Sequence, residues 1–431
     1  MTKIGIRKED KNIWERRSPL VPAQVRRLVE QEGLSVQVES SSQRVFADQA
    51  FRDAGAEITD GIPDAPVVFA VKEIPVELLS AGKTYVFFAH VIKGQAHNMP
   101  MLRRLLALGC TLIDYEKVAD EQGRRLIFFG RHAGLAGMLD TLWALGQRLR
   151  EEGFDTPLAR IQTAHSYPDL KAASQAVSEV GDALRQDGLP EALQGMVIGL
   201  AGYGNVSRGA QEILDQLGPE QVEPEQLESL AGCEGLVKVV FKEQHMVVPR
   251  DARRTFDLQD YFAHPERYRG VFARHVPRLH ALVNCIYWTP DYPRLVSRDL
   301  LWGLYAPGCS PRLRVIGDIS CDIEGAIECT LEPSDPGEPV YVYLPEADRI
   351  EPGLAGRGPV VMAVDNLPCE LPRESSEDFG QALLPYAAAI ARADYGASFD
   401  DLDLPPAIKQ AVICHRGELT PAYKYLEKHL T

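Results

Sequence analysis

A chain of 431 residues, 45% of them hydrophobic, is long enough for two or three domains with substantial cores, and its pattern suggests two. The net charge of −15 excludes a general nucleic-acid binder, which must neutralise phosphates with Lys and Arg, and points to small-molecule partners instead. No stretch is apolar for the roughly 20 residues a membrane helix needs, the N-terminus lacks the apolar core of a signal peptide, and the 8 cysteines form neither a C-x-x-C pair nor a zinc-type cluster; a soluble, cytoplasmic protein with reduced thiols, no membrane contact and no metal is expected.

In chain order, Lys3 to Arg7 reads as a strand, Pro22 to Gln31 as a helix, Ser35 to Glu39 as a strand and Ala47 to Ala54 as a helix. Three apolar runs follow, and each ends on an ionisable residue: Ala65 to Val71 enters Lys72, Thr84 to Ala89 enters His90, and Cys110 to Tyr115 enters Glu116. Helical stretches such as Met99 to Leu108 join them. Short apolar runs separated by helix-period segments predict buried strands of a parallel sheet, whose ligands sit beyond the strands' carboxyl ends. A long amphipathic helix is predicted from Ala133 to Glu152, with Leu135, Met138, Leu139, Leu142, Leu145 and Leu149 on its apolar face, connecting two domains. A second α/β unit starts with the strand Met196 to Leu200 and continues through strand candidates at Leu236 to Phe241, Ala281 to Ile286, Leu313 to Ile319 and Val360 to Val364. The tail from Leu367, rich in helix-period leucines and alanines, carries no strand signal and is expected to pack on the first domain.

After the strand Met196 to Leu200 comes Gly202-Tyr203-Gly204-Asn205-Val206-Ser207, a turn into a helix of the kind that holds a pyrophosphate on backbone N–H groups. Ser207 stands where the third glycine of G-x-G-x-x-G usually lies, so a tight turn without a ligand is the competing reading. About twenty residues on, Glu223 either accepts hydrogen bonds from an adenosine ribose, favouring NAD, or is one exposed carboxylate among Glu220, Glu225 and Glu228. Partial burial would lower the Lys72 amine into the range of proton transfer, and His90 suits the same work. Glu116 would tune either, or form a structural ion pair. Arg17 and Arg125 are forks that could grip carboxylates, or simply solvated arginines.

Several longer strings resemble one family. Trp14-Glu15-Arg16-Arg17-Ser18-Pro19-Leu20, Val71-Lys72-Glu73-Ile74-Pro75, Phe88-Ala89-His90-Val91-Ile92-Lys93, Leu112 to Glu116, Gly204 to Ala210, His264-Pro265-Glu266-Arg267-Tyr268, Asn284-Cys285-Ile286-Tyr287-Trp288, Asp318-Ile319-Ser320 and Val364 to Pro368 are similar to the lysine-forming saccharopine dehydrogenases. The likeness is greatest to the lysine-ketoglutarate reductase part of bifunctional aminoadipic semialdehyde synthases. It implies an α/β fold of two Rossmann-like domains related to alanine dehydrogenase, with parallel sheets and an active-site cleft between the domains. Residues 1–135 plus 366–431 would form the substrate domain and 136–365 the dinucleotide domain.

The resemblance also implies a reaction, in which L-lysine, 2-oxoglutarate and a reduced nicotinamide cofactor give saccharopine reversibly. Lys72 and His90 match the acid/base residues, Glu73 and Glu116 charge-tuning neighbours that face substrate, and Arg17, Lys93 and Arg125 substrate-binding residues. Gly202, Tyr203, Gly204, Asn205, Val206, Ser207, Glu223, Cys285, Ile286, Tyr287, Asp318 and Ser320 are expected around the cofactor, with Asp365 beside the nicotinamide ribose. The resemblance implies NADP(H), with NAD(H) the alternative that Glu223 favours. Cleavage of saccharopine to glutamate would need a separate dehydrogenase. Competing functions are an alanine dehydrogenase-like amino-acid dehydrogenase, or a regulator that senses nicotinamide nucleotides without turnover.

Overall fold

A computed structural model describes residues 2–229 and 233–430. The chain divides into two compact units, Met1–Phe129 with Pro372–Thr431, and Gly130–Leu371. In the first, β1 (Lys3–Ile6), β2 (Ser35–Glu39), β3 (Glu57–Thr59), β4 (Val67–Phe69), β5 (Thr84–Phe87) and β6 (Thr111–Asp114) pair in the order 3-2-1-4-5-6, all parallel. Strands β4, β5 and β6 are buried along their whole length, which is why they read as continuous apolar runs rather than alternating ones. Helices α1 (Pro22–Glu30), α2 (Asp48–Asp53) and α3 (Met99–Ala107) make the crossovers.

The second unit opens with α4 (Gly130–Glu151), a helix expected to be amphipathic. It is buried nearly all round instead, because residues from Gly134 to Ala144 face the core on every side except at Trp143. Helix α6 (Asn205–Leu214) packs along it, while α5 (Leu170–Asp187) packs on the short turns that follow α4 and α6. A Cβ on Gly134 would stand 1.9 Å from the Val206 carbonyl oxygen and one on Gly209 2.0 Å from that of Arg131, so these two glycines set how closely α4 and α6 cross. The close approach expected of a third glycine at position 207 is thus made two residues later, and Ser207 is buried inside α6 with its Oγ accepting from Gln211 at 3.1 Å.

The second sheet contains β7 (Met196–Ala201), β8 (Glu220–Val222) and β9 (Leu236–Phe241), then, past a two-stranded ribbon of β10 (Val247–Pro249) and β11 (Tyr268–Gly270), β12 (Ala281–Asn284), β13 (Val315–Asp318), β14 (Val340–Leu344), β15 (Arg349–Pro352) and β16 (Val360–Met362). The short helices α7 (Glu243–Met246) and α8 (Leu258–Ala263) lie around the ribbon, and α9 (Arg298–Leu304) precedes β13. The strand order is 15-14-16-13-12-7-9-8. Six strands are parallel, while β14 and β15 add antiparallel, so the sheet is mostly rather than wholly parallel. Below it, buried Asp140 accepts the Ala164 N–H at 2.8 Å and meets buried Glu370. Burial first, then their mutual charge, pushes Asp140 well above the carboxylate range, and burial pushes Glu370 up to about 8. Both shifts favour protonated carboxyls in this pair at neutral pH.

The tail returns to the first unit through α10 (Pro372–Arg392). Contrary to the all-helical expectation, it ends in two strands, β17 (Val412–His415) and β18 (Glu418–Leu419), with β17 antiparallel on the edge of β6. Four residues, Val-Ile-Cys-His, are too short a run to register as a strand without their partner. Among the described residues no helix is long and apolar enough to cross a membrane, and no group of His, Cys, Asp and Glu is set to hold a metal.

Candidate active site

Lys72, His90 and Glu116 follow the carboxyl ends of β4, β5 and β6. Adjacent strands lie about 4.8 Å apart, so groups leaving consecutive ends share one crevice. The strand order reverses between β1 and β4, and there the Glu9 carboxylate accepts the N–H groups of Val71 at 2.6 Å and Lys72 at 2.9 Å. Burial, then the charge of Glu15, pushes Glu9 up to about 7 against the pull of those two donors and Arg7. Burial also lowers the Lys72 amine, helped by the charges of Arg17 and Lys11 and opposed by Glu15 and Glu73.

His90 adopts φ +50, a left-handed backbone uncommon outside glycine, which turns it back from the end of β5. Its Nδ1 lies 2.7 Å from Glu73 Oε1, and Lys11 Nζ is 3.5 Å from Glu73 Oε2. Burial raises the Glu73 carboxyl, but the hydrogen bond and charge of His90 with that of Lys11 outweigh it and hold the group at about 2. An ionised Glu73 fixes the tautomer with the proton on Nδ1, leaving Nε2 for a substrate atom. Beneath, Asp114 ends β6 fully buried and accepts the Glu116 N–H at 2.9 Å. Burial pushes it up to about 7. Glu9, Lys72, Glu73 and Asp114, four groups with shifted protonation, thus stand with His90 within one set of strand ends, an arrangement suited to proton transfer near neutrality.

In the second unit, Gly202 follows β7 with φ +99, bonds its N–H to the Phe241 carbonyl at 2.9 Å, and has room for no side chain, since a Cβ would meet Ile286 Cγ2 at 3.1 Å. Gly204 caps α6 without a side-chain bond, and nothing lies within 4 Å of where its Cβ would be. A bare helix start facing open space fits a phosphate group. Alongside lies a cavity of about 380 Å³ with Gly202, Tyr203 and Gly204 on one side, Cys285, Ile286 and Tyr287 on another, and Glu243, Met246, Tyr261 and Tyr292 closing it. A mostly apolar slot beside a phosphate-sized opening is the shape a dinucleotide requires.

The alanine dehydrogenase/PNT N-terminal domain family matches residues 5–136, and its C-terminal domain family matches residues 289–422. The alpha-aminoadipic semialdehyde synthase of Arabidopsis thaliana is 35% identical over 453 residues, covering 99% of this chain and 41% of that protein. The mitochondrial synthase of Bos taurus is 36% identical over 441 residues, covering 99% of this chain and 47% of its own. The saccharopine dehydrogenase [NAD(+), L-lysine-forming] of Yarrowia lipolytica is 28% identical, with 91% of this chain and 93% of that one aligned. The chain is thus similar over nearly its whole length to both the semialdehyde synthases and the lysine-forming saccharopine dehydrogenases. It spans less than half the length of the semialdehyde synthases it matches. An L-alanine dehydrogenase structure shares its fold with a TM-score of 0.64 at 20% identity, over 100% of both chains.

The residues that likeness to the saccharopine dehydrogenases singles out fall into distinct settings. Lys72, Glu73 and His90 come together, and Glu116 joins them through Asp114. Arg17 is buried with its fork closed on Glu15, Nε to Oε1 at 2.7 Å and Nη2 to Oε2 at 2.5 Å, and its guanidinium stacked 4.3 Å over Phe129. Arg125 is exposed, donating to the Glu116 carbonyl at 3.1 Å, and Lys93 is exposed. Around the second sheet, Asn205 and Tyr287 are exposed, Val206 is half-buried, Cys285 is buried, and Asp365 is exposed just past β16. Asp318 is buried with its oxygens taken by Asn284 at 2.8 Å, Cys321 N–H at 3.2 Å and Thr330 at 2.6 Å. Ser320 Oγ donates to the Ile286 carbonyl at 2.5 Å, bracing the loop after β12. Glu223 stands at the end of β8, not at the cavity.

Sequence reasoning missed Glu9, Asp114 and Glu243. A signal for two of them was present, because Glu9 follows β1 and Glu243 follows β9 as Lys72 follows β4: an apolar strand running into charge. Asp114 was read as part of an apolar run.

Proposed function

We propose that this chain is a lysine-ketoglutarate reductase, joining L-lysine and 2-oxoglutarate to saccharopine reversibly with a nicotinamide dinucleotide. The observation that carries the reading is the cluster of Lys72, Glu73 and His90 at consecutive strand ends, in a chain aligned over 99% of its length with semialdehyde synthases. The chemistry needs proton transfers at two atoms. The substrate ε-amine must be neutral to add to the keto carbon, and the carbinolamine oxygen must leave as water to give an imine. Lys72, its amine lowered by burial, takes the proton that leaves the substrate ammonium; His90, oriented by Glu73, takes a second proton from nitrogen on Nε2 as the amine adds, and the oxygen departs as water with the protons these two return. Lys93 and Arg125, exposed past β5 and β6, meet substrate carboxylates, while Arg17 braces Glu15 and the Phe129 face.

Gly202, Gly204 and the start of α6 would hold the dinucleotide's phosphates and the neighbouring cavity its nucleoside. When bound, the reduced nicotinamide supplies the hydride that turns the imine into saccharopine's secondary amine. The test is loss of reduced-nicotinamide absorbance with L-lysine and 2-oxoglutarate supplied together and singly. Oxidation that requires both supports the reading; turnover with an amino acid alone in the reverse sense, as for an alanine dehydrogenase, would sink it.

A further inference from the structure

We propose that Tyr425, on the segment Pro421–His429 that follows β18, is a positioning residue for the reaction: it fixes the turn that carries Lys93 and so sets the affinity for 2-oxoglutarate without touching the reacting atoms. The inference rests on the reductase reading above and adds what holds Lys93 in place. Lys93 stands within a turn over residues 91–94, closed by the Gly94 N–H on the Val91 carbonyl at 2.9 Å. It is exposed, and among the described residues its ammonium has no carboxylate partner, which leaves it for a substrate. His90, which serves the oxygen leaving the keto carbon, directly precedes that turn, so of the two substrates the keto acid is the one whose carboxylate Lys93 meets.

A lysine side chain has much rotamer freedom to lose on meeting a ligand, so a backbone already held in place makes the difference between a loose and a firm grip. Within its own stretch of chain the turn is held at two points: Asn98 Nδ2 donates to the His90 carbonyl at 3.2 Å, and the Lys93 N–H donates to Gln95 Oε1 at 3.1 Å. The other two clamps come from the far side of β17 and β18 in sequence. The Tyr425 hydroxyl donates to the Ile92 carbonyl at 2.7 Å. The His429 ring lies against Gly94, where an added Cβ would stand 2.5 Å from it, and Gly94 itself is left-handed at φ +69. Lys93 is thus bracketed, with the residue before it bonded by Tyr425 and the residue after it covered by His429.

The segment is itself anchored, which lets it hold the turn rather than follow it. Tyr423 and Leu426 are buried in the apolar cluster that contains Ala89 and Val91, the neighbours of His90. The Tyr423 hydroxyl donates to the Gln410 carbonyl at 2.7 Å, and Arg103 of α3 donates to the Leu430 carbonyl at 2.8 Å and the His429 carbonyl at 3.4 Å. Burial, then the charge of Glu116, raises the Tyr425 phenol, which puts the ring on the Glu116 side of the crevice and keeps the proton on its bond to Ile92. Yet the Tyr425 side chain is 47% exposed, so its hydroxyl holds the Lys93 turn without supporting the core.

The experiment is steady-state kinetics on the full chain, followed by reduced-nicotinamide absorbance, for the wild type, Tyr425→Phe, Lys93→Met and the double variant, with L-lysine and 2-oxoglutarate varied in turn. Tyr425→Phe should raise KM for 2-oxoglutarate about fivefold, the worth of one hydrogen bond, and leave kcat and KM for L-lysine within about twofold. Its retained turnover would itself show that the variant folds. Lys93→Met should raise the same KM roughly tenfold or more, as for a charged partner. In that background Tyr425→Phe should add nothing, because its effect passes through Lys93. An unchanged KM in Tyr425→Phe, an equal rise for L-lysine, a further rise on top of Lys93→Met, or a Lys93→Met variant with wild-type KM overturns the positioning role and leaves the reductase reading intact. A wild type that consumes no reduced nicotinamide with both substrates present overturns both.

Discussion

At the reversal point of the first sheet, between β1 and β4, the strands run into Glu9, Lys72 and Glu73; at that of the second, between β7 and β12, they run into Gly202 and a cavity. The first crowds ionisable side chains together, and burial pushes the Glu9 carboxyl up and the Lys72 amine down while Glu73 stays ionised beside His90. The second strips side chains away, so that backbone N–H groups and an uncapped helix start are left facing open space. One layout of parallel strands therefore makes either a proton-handling site or an anion cradle, and the choice is made by two or three residues past each strand end. Function follows those residues, not the sheet.

The sharpest way to break that contrast is to remove the proton carriers. Lys72→Met and His90→Gln should each lower turnover by roughly 10²- to 10⁴-fold, with dinucleotide affinity unchanged in titration. If either variant lost nucleotide binding instead, the division of labour would be wrong. Gly202→Ala attacks the other half: its Cβ meets Ile286 at 3.1 Å from a left-handed backbone, so nucleotide affinity should fall by about tenfold for strain of roughly 1–2 kcal/mol. Calorimetry on Gly209→Ala, whose Cβ would stand 2.0 Å from the Arg131 carbonyl, should show destabilisation of about 1–3 kcal/mol as α4 and α6 are forced apart.

The mildest expected effect is a pH slope. Glu370 has its folded-state carboxyl raised to about 8, so the folded chain holds a proton that the unfolded chain has released above about pH 4.5. Stability from this pair is therefore lost as pH rises from the ordinary carboxylate range through 8. Melting temperature should fall less steeply between pH 5 and 8.5 in Glu370→Gln than in the wild type; the slope left in the variant comes from the other raised carboxyls, Asp140, Glu9, Asp114 and Asp318. Parallel melting curves would remove the Glu370 proton from the account.

The strand ends were legible in the sequence because a parallel strand buried on both faces must be apolar throughout, so the first charge after it marks where the crevice begins. Lys72, His90 and Glu116 could be picked out that way. Spatial order was not legible: hydrophobic period says that β8 and β9 are strands, never that β9 inserts between β8 and β7, so Glu223 could not be seen to lie two strands from β7. Arg17 was legible as a fork but not as one closed by Glu15 two residues away. The same limit hid β17, four residues that become a strand only because β6 offers them an edge.

That edge carries a consequence for the order of events during synthesis. All of β6 is buried in the finished fold, and β17 is the strand that covers its outer side. Residues 130–371, a unit with its own core, are made between the two. The first unit is thus closed only after residues 130–371 have been made, and until residues 412–415 emerge it presents an apolar strand with an unpaired edge to anything nearby. A chain cut before residue 412 should consequently be lost to aggregation, with residues 130–371 already folded.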